Sequence, residues 1–281
     1  MVVPSQGVHI VLDMKFLQSD YAIMVPKTSD GRVLFAVPWH DKVVVGTTDI
    51  QRPKAESEPK PLDEEIDFIL STASLYMNPA PTRKDIVSVF AGQRPLAAPK
   101  KEGKSSKEVS RSHKIIVSDH DLVTITGGKW TSYRRMAEDT IDKVIALGKI
   151  SKRKCVTRKL KVHGWRPNPD LTDHMYVYGS DEPLIRDMIK QNPTLGEKLS
   201  EKYGYTVAEV LWAIRHEMAH TVEDVLARRV RMLFVDAREA QKVAPRVAQI
   251  MAHELGKDQA WIDAQVAAFK SVSDNYIVVK D

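Results

Sequence analysis

One short stretch of this sequence combines the residue types that a site for an anionic or electron-rich group needs. A β-branched run leads into two adjacent glycines, Gly127 and Gly128, and an amphipathic helix is predicted to begin directly after them. Because glycine has no Cβ, the pair allows positive φ and a close approach of another group. The helix start offers unpaired N–H groups and the positive end of the helix dipole, Lys129 adds a full charge, and Thr131 adds a hydroxyl. The stretch predicts a ligand site, although a purely structural glycine turn is the alternative.

A second stretch matches the H-E-x-x-H pattern of zinc metalloproteases. On one continuous helix, His216 and His220 would lie on the same face with Glu217 between them, and Glu239 is a candidate third ligand. An arginine-rich run that ends at Arg231 follows, and its charge would disfavour a nearby cation. We therefore predict no metal site, and we keep a zinc metalloprotease as an alternative function.

The composition is typical of a globular protein of one or two domains. The chain has 281 residues, of which 43% are hydrophobic and 28% are charged. No apolar run approaches the roughly 18 residues that a membrane-spanning helix requires. Cys155 is the single cysteine, so an internal disulfide is excluded, and the composition fits a reducing compartment.

The net charge of +5 is concentrated in two runs. Residues 100–114 contain six basic and two acidic residues, and residues 151–166 contain seven basic and no acidic ones. Neither run alternates basic with aromatic residues, and no zinc-finger spacing is present, so we predict no nucleic-acid partner. A solvated loop and a solvated linker are the simplest interpretation, and weak attraction to anionic lipid is the alternative.

The elements that position these residues follow from the hydrophobic periodicity. Short β-branched runs separated by turn residues predict antiparallel strands at 7–13, 21–26, 33–39, 42–48, 85–91, 114–118 and 122–126. Apolar residues at helical spacing predict helices at 63–76, from the glycine pair to 148, and at 182–192, 195–203, 207–217, 221–230, 236–255 and 258–272.

These elements predict an α+β fold, in which a mostly antiparallel sheet domain with flanking helices is followed by an all-helical C-terminal cap domain. We place the sheet domain at residues 1–150, a basic linker at 151–170 and the helical cap at 171–281. The sequence contains neither a G-x-G-x-x-G loop nor a Walker sequence. The sheet domain therefore presents half of a nucleotide site, without the loop that would hold a pyrophosphate.

Several stretches resemble, in order and spacing, the FAD-dependent glycerol-3-phosphate dehydrogenases. They are Gly7–Val11, Phe35–Trp39, Gly46–Asp49, Ala91–Leu96, Ser110–His113 and Ile125–Arg134, and Ile214–Arg229 is similar to the cap domain of that family. In the family, the glycine-rich loop lies in an N-terminal segment that this sequence does not contain. The resemblance implies that the chain is a C-terminal fragment of roughly half the enzyme. Two departures are Gln93, where the family commonly has an apolar residue, and the charged loop 100–107.

The resemblance implies oxidation of sn-glycerol 3-phosphate to dihydroxyacetone phosphate, with hydride transfer to FAD. Arg94 and Arg111 resemble arginines that bind the substrate, His9 resembles a histidine that could take the hydroxyl proton, and Lys129 resembles the lysine beside flavin and substrate. The stretch that would lie against the flavin consists of Gly127, Gly128, Lys129, Trp130 and Thr131. Without the resemblance, a structural hydrogen bond is the simpler interpretation of His9, and pairing with a carboxylate is the simpler interpretation of Arg94. Thr47 to Asp49 could be an ordinary turn.

The resemblance leaves several points open. The electron acceptor is a quinone or oxygen, and the expected location is the cytoplasm, with peripheral contact at the inner face of the cytoplasmic membrane as an extension. The fragment alone is predicted to be inactive and not to retain FAD. A homodimer is a further expectation, and a helical protein-interaction module built on residues such as Val207, Val210, Leu211 and Ile214 is an alternative function.

Overall fold

The computed structural model describes residues 2–29, 31–97 and 113–278. The chain divides into two units, each built from separate segments. Unit 1 comprises residues 1–6, 49–57 and 93–163, and unit 2 comprises residues 7–48, 58–92 and 164–281. Unit 2 thus includes most of the predicted sheet together with the predicted helical cap, and the assignment of these parts to separate domains stays a prediction.

The largest sheet contains β1 (Val2–Asp13), β2 (Ile23–Val25), β3 (Leu34–Trp39), β4 (Lys42–Gly46), β5 (Ile50–Gln51) and β6 (Ser88–Ala97). Strands β2, β3 and β4 belong to unit 2, β5 belongs to unit 1, and β1 and β6 have residues in both units. The pairs β1–β4, β2–β3 and β3–β4 are antiparallel, as the sequence predicted. Within unit 2, β2, β3, β4 and β1 lie side by side in that order, and β6 pairs with β1. His40 and Asp41 both have positive φ, which is the geometry of a two-residue hairpin turn between β3 and β4. The register sets His9 of β1 opposite Gly46 of β4.

One face of this sheet forms an apolar core with the first helix. In β1, Val8, Ile10 and Leu12 alternate with His9 and are completely buried. They pack in one cluster with the apolar face of α1 (Asp63–Ala73). Glu65 caps the start of the helix, because its Oε2 accepts a hydrogen bond of 3.1 Å from the backbone N–H of Leu62. The helix ends at Ala73, three residues before the predicted end at residue 76.

The second half of unit 2 is mainly helical. It contains α3 (Glu182–Gln191), α4 (Val207–His216), α5 (Met232–Val235), α6 (Ala237–Leu255) and α7 (Gln259–Ser273). Their shared core includes Val210, Leu226, Met251 and Phe269, and Leu211 is also buried. Thus two of the residues considered for an interaction surface, Val210 and Leu211, are buried in the protein. Among the described residues, no helix has both the length and the apolar character needed to cross a membrane.

Two of the predicted helices differ in the structure. The helix predicted at 195–203 is wrong, because this region forms a hairpin of β9 (Lys198–Ser200) and β10 (Tyr203–Thr206). Leu199 of β9 and Tyr205 of β10 are both buried in the helical core. The helix predicted at 221–230 is replaced over Asp224–Arg229 by a π-helical turn. The α+β class is confirmed, but the C-terminal part is not entirely helical.

Unit 1 holds the glycine stretch. The start of β1 pairs with β5, and a separate hairpin of β7 (His113–Val117) and β8 (Val123–Gly127) leads to α2 (Tyr133–Ala146). The helix is followed by Gly148 at φ +71°, a common C-terminal arrangement. Among the described residues of unit 1, only Ser5 and Gln6 are buried. The described part of unit 1 therefore has no buried apolar side chain.

Candidate functional site

The turn between β8 and α2 requires glycine at both positions. Gly127 and Gly128 have φ angles of +75° and +84°. A Cβ on Gly128 would lie 2.6 Å from Met136 Sδ and 3.2 Å from His113 Cβ. A side chain at this position would require Met136 to move, and the positive φ would strain any other residue. The predicted strand, glycine turn and helix are confirmed, whereas the role of the turn in ligand binding stays a prediction.

The residues that follow the glycines present polar and aromatic groups at the surface. Trp130 to Ser132 form one 3-10 turn before α2 begins, and the Ser132 hydroxyl donates to the Lys129 carbonyl at 2.9 Å. Lys129 and Thr131 are exposed, and the Lys129 ammonium forms no hydrogen bond or ion pair with another described residue. The Trp130 ring is 83% exposed and stacks on Tyr133 with 5.2 Å between ring centroids. A cation and a flat aromatic surface thus lie next to each other.

One side-chain contact joins α2 to β7, and further ion pairs lie within α2. His113 Nε2 lies 3.0 Å from Asp139 Oδ2, and Arg135 lies 2.9 Å from the other oxygen of the same carboxylate. Arg134 donates to Glu138 Oε2 at 2.9 Å, and this hydrogen bond holds the pKa of Glu138 below its ordinary value. The His113–Asp139 contact therefore links the first residue of β7 to α2.

Arg94 lies in unit 1 beside the carboxylate of Asp49, a residue that the sequence analysis treated as part of an ordinary turn. Arg94 Nη1 is 3.9 Å from Asp49 Oδ1, and the arginine side chain is 40% exposed. Asp49 also accepts a hydrogen bond from the buried Ser5 hydroxyl. Gln93, which departs from the family pattern, accepts from the backbone N–H of Glu56 at 2.9 Å. The guanidinium is thus oriented by a carboxylate and retains an accessible surface.

His9 lies in unit 2 in a closely packed setting. Its ring stacks on Phe90 with centroids 5.3 Å apart, and a Cβ on Gly46 would lie 2.5 Å from His9 Cδ2. The glycine therefore makes space for the imidazole, which is half-buried. Nearby Thr48 has a structural role, because it accepts from the Val8 N–H at 2.9 Å and donates to buried Glu65 at 2.6 Å.

The structure brings some of the predicted site residues together. Gly127 to Thr131 form one continuous turn in unit 1, and Arg94 belongs to the same unit, whereas His9 belongs to unit 2. Arg111 lies outside the described residues. Asp49 has no predicted role beside Arg94, and the signal in the sequence is its position at the end of the Gly-Thr-Thr-Asp stretch.

Comparison with known proteins identifies the family. The family model for the C-terminal domain of alpha-glycerophosphate oxidase matches residues 122–262, which is half of the chain, and the model for FAD dependent oxidoreductases matches residues 1–134. The chain belongs to the FAD-dependent glycerol-3-phosphate dehydrogenase family.

Individual relatives agree with this assignment. A mitochondrial glycerol-3-phosphate dehydrogenase of Arabidopsis thaliana is 37% identical over 90% of this chain and 45% of its own length. That of Saccharomyces cerevisiae is 33% identical over 93% of this chain and 48% of its own length. The crystal structure of glycerol-3-phosphate dehydrogenase from Bacillus halodurans in complex with FAD matches 99% of this chain and 58% of that chain, with 25% identity and a TM-score of 0.78. The chain thus spans about half the length of the relatives it matches.

FAD is the cofactor of this family, and the glycine turn fits one side of a flavin site. The turn has no Cβ that would obstruct a planar ring, and the exposed Lys129 ammonium directly precedes the 3-10 turn that leads into α2. The neighbouring indole of Trp130 offers an apolar surface. These residues could hold the cofactor and favour negative charge on it.

The H-E-x-x-H stretch does not have the helical geometry that the zinc interpretation assumed. Helix α4 ends at His216, and Met218 has φ +57°, so His216 and His220 do not share one helical face. His216 instead stacks on Trp212 with ring centroids 4.0 Å apart. Burial raises the pKa of Glu217, against the opposing charge of a neighbouring arginine. The described residues contain no group of three or more His, Cys, Asp or Glu side chains suited to a metal ion.

Proposed function

We propose that this chain supplies the substrate- and flavin-facing part of an enzyme that oxidises sn-glycerol 3-phosphate to dihydroxyacetone phosphate. The observation that carries the proposal is the exposed Lys129 ammonium, which directly follows the left-handed glycine pair in a chain of this family. The substrate is that named for the relatives in Arabidopsis thaliana and Saccharomyces cerevisiae.

The side chains divide the chemical tasks between them. The guanidinium groups of Arg94 and Arg111 bind the substrate phosphate through charge-assisted hydrogen bonds. An imidazole nitrogen of His9 takes the proton of the secondary hydroxyl, so that the alcohol carbon can become a carbonyl. Bound FAD supplies the acceptor for the hydride that leaves this carbon. Lys129 and the helix start stabilise the negative charge that the reduced flavin carries.

We further propose that the chain alone neither retains FAD nor oxidises the substrate. The sequence has no G-x-G-x-x-G loop, and the described part of unit 1 buries no apolar side chain that would enclose a ring system. Incubation with FAD, gel filtration and an absorbance scan of the protein peak test this proposal. A flavin-free peak is expected, and a peak with the visible bands of bound flavin would show that this chain holds the cofactor by itself.

Three further properties of the whole enzyme are its electron acceptor, its location and its assembly state. We propose a quinone or oxygen as acceptor, a cytoplasmic location with peripheral contact at the inner face of the cytoplasmic membrane, and a homodimer. Oxygen consumption compared with reduction of a water-soluble quinone distinguishes the two acceptors in an active enzyme. A molar mass that stays at 31.7 kDa at high concentration would contradict the homodimer.

A further inference from the structure

A row of aromatic rings runs through unit 2 from its sheet to its helical part. His9 of β1 stacks on Phe90 of β6, with ring centroids 5.3 Å apart and 15° between the ring planes. Phe90 meets Phe234 of α5 edge to face, at 5.2 Å and 81°. Phe234 meets Tyr276 in the same way, at 5.4 Å and 88°. These four residues, which we call the aromatic row, all belong to unit 2, so one ring, Phe90, links the helical part to the candidate base.

Hydrogen bonds hold α5 against β6 on both sides of Phe234. The buried Ser88 hydroxyl donates to the Leu233 carbonyl at 2.9 Å, one residue before Phe234. The backbone N–H of Ala237, the first residue of α6, donates to the Val87 carbonyl at 3.1 Å. Because both bonds are made to the strand that carries the second ring of the row, the Phe234 ring has a fixed place beside that strand.

The far end of the aromatic row is anchored as well. The Tyr276 hydroxyl donates a hydrogen bond of 2.9 Å to Glu58 Oε1, in the segment that leads into α1. Burial and the charge of Glu58 raise the pKa of this hydroxyl, so it stays protonated and keeps its role as donor. Tyr276 is therefore held through its hydroxyl, and its ring supports Phe234 from the side away from β6.

The imidazole of His9 has little room to rotate at the near end of the row. Gly46 of β4 lies opposite His9, and a Cβ there would lie 2.5 Å from His9 Cδ2. The Phe90 ring lies nearly parallel to the imidazole. Stacking on a flat ring fixes the plane of the imidazole and so the direction in which its nitrogens point. This direction matters for catalysis, because a general base has to lie within hydrogen-bond reach of the proton that it takes.

We propose that Phe234 is a positioning residue for the reaction, because it supports the Phe90 ring that orients the His9 imidazole toward the hydroxyl proton. The inference rests on the proposed function, in which His9 is the base. Without the Phe234 ring, Phe90 loses its edge-to-face neighbour, and its stack on His9 loosens. Binding of the substrate phosphate is the task of Arg94 and Arg111. The loss therefore falls on the rate of the chemical step and not on the affinity for substrate.

Nuclear magnetic resonance of the imidazole rings tests the positioning in the whole chain, without flavin or substrate. The histidine rings are labelled with ¹³C, and the His9 signal is assigned by its loss in His9→Gln. Phe234→Leu should shift this signal, because the ring current at the imidazole changes when Phe90 moves. Phe234→Tyr, which keeps the ring, should leave the signal close to its original place. An unchanged His9 signal in Phe234→Leu would overturn the proposal.

Phe269→Leu is the matched control for a loosened helical core. Phe269 is completely buried in the same core as α5 but is not part of the aromatic row. Its replacement should cost more stability than Phe234→Leu and leave the His9 signal in place. An equal shift of the His9 signal in Phe269→Leu would overturn the proposal, because the shift would then report general loosening.

The reaction itself gives a second readout when this chain is joined to the nucleotide-binding half of a family member. Phe234→Leu should lower the limiting rate of flavin bleaching by glycerol 3-phosphate about 2- to 10-fold, the value of one aromatic pair, at an unchanged half-saturating concentration. Phe234→Tyr and Phe269→Leu should keep most of the rate. A parental rate in Phe234→Leu would overturn the positioning alone. A parental rate in His9→Gln would instead refute the proposed role of His9 as the base, and the positioning with it.

Discussion

Thr48 shows how a residue beside a candidate site can serve the fold. Its hydroxyl joins the Val8 N–H of β1 to the Glu65 carboxylate at the start of α1, and both Thr48 and Glu65 are almost completely buried. Glu65 in turn caps α1. The Gly-Thr-Thr-Asp stretch that resembles the family therefore contains a structural residue directly before Asp49, which pairs with Arg94.

Replacement of Thr48 by valine should destabilise the protein by about 1–3 kcal/mol, because the buried Val8 N–H and the buried Glu65 carboxylate each lose one hydrogen bond. The control is Thr82→Val, which removes an exposed hydrogen bond to Asp85 and should cost less. Urea unfolding of both variants measures the difference. Equal losses would contradict the structural role of Thr48.

His174 gives the fold a predictable dependence on pH. Burial alone would lower its pKa, but the hydrogen bond and charge of Glu209, 3.2 Å away, outweigh burial and raise the pKa. Because the pKa of His174 is raised in the folded state, His174 stabilises the protein at pH values below its ordinary pKa of about 6.5. This contribution is lost as the pH rises through the folded-state pKa.

The measurement compares the single variant His40→Gln with the double variant His40→Gln/His174→Gln. His40 is replaced in both proteins because burial and Arg231 lower its pKa, so that its contribution to stability changes with pH in the opposite direction. The loss of unfolding free energy on His174→Gln should be larger at about pH 5.5 than at about pH 8.5. A loss that is the same at both pH values, or larger at the higher one, would show that the Glu209 contact does not raise the pKa.

At the scale of elements, the turn from β8 to α2 determines where Lys129 and Trp130 lie. Two left-handed residues reverse the chain, and the space beside Gly128 is filled by Met136 from the helix and His113 from the paired strand. An added Cβ would require the end of the Met136 side chain to move, and the positive φ would strain any residue other than glycine.

Gly128→Ala should destabilise unit 1 by at least about 1–2 kcal/mol, the cost of a left-handed conformation without the added clash. Gly92→Ala is the control, because Gly92 has no atom within 4 Å of the added Cβ and lies in a strand. Amide hydrogen exchange in α2 reports the effect locally. Protection of α2 that is unchanged in Gly128→Ala would contradict the packing described.

The sequence allowed the strands, the glycine turn and most helices to be predicted, because their periodicity and turn residues are local signals. It failed at residues 198–206, where Leu199 and Tyr205 point into the helical core and tertiary packing favours a hairpin. The predicted end of the helix at 207–217 is one residue beyond the observed end of α4 at His216. The pairing of Asp49 with Arg94 joins segments far apart in the chain, and no local pattern contains it.

At the scale of the whole molecule, the alternative functions make different predictions about bound groups. A zinc protease would hold about one zinc per chain. Because α4 ends within the motif, we expect far less than one zinc per chain after dialysis against zinc and then buffer. Elemental analysis measures this directly. One zinc per chain that disappears in His216→Ala would contradict the geometry and revive the metalloprotease.

The central claim is tested most directly by joining this chain to the nucleotide-binding half of a family member and measuring bleaching of its flavin by glycerol 3-phosphate without oxygen. We predict that the joined protein retains FAD and that glycerol 3-phosphate bleaches it, whereas glycerol does not. Arg94→Ala should lower the bleaching efficiency roughly 10- to 100-fold, the value of a hydrogen bond to a charged group. A joined protein that binds FAD but is not bleached by glycerol 3-phosphate, or is bleached equally well without Arg94, would contradict the account.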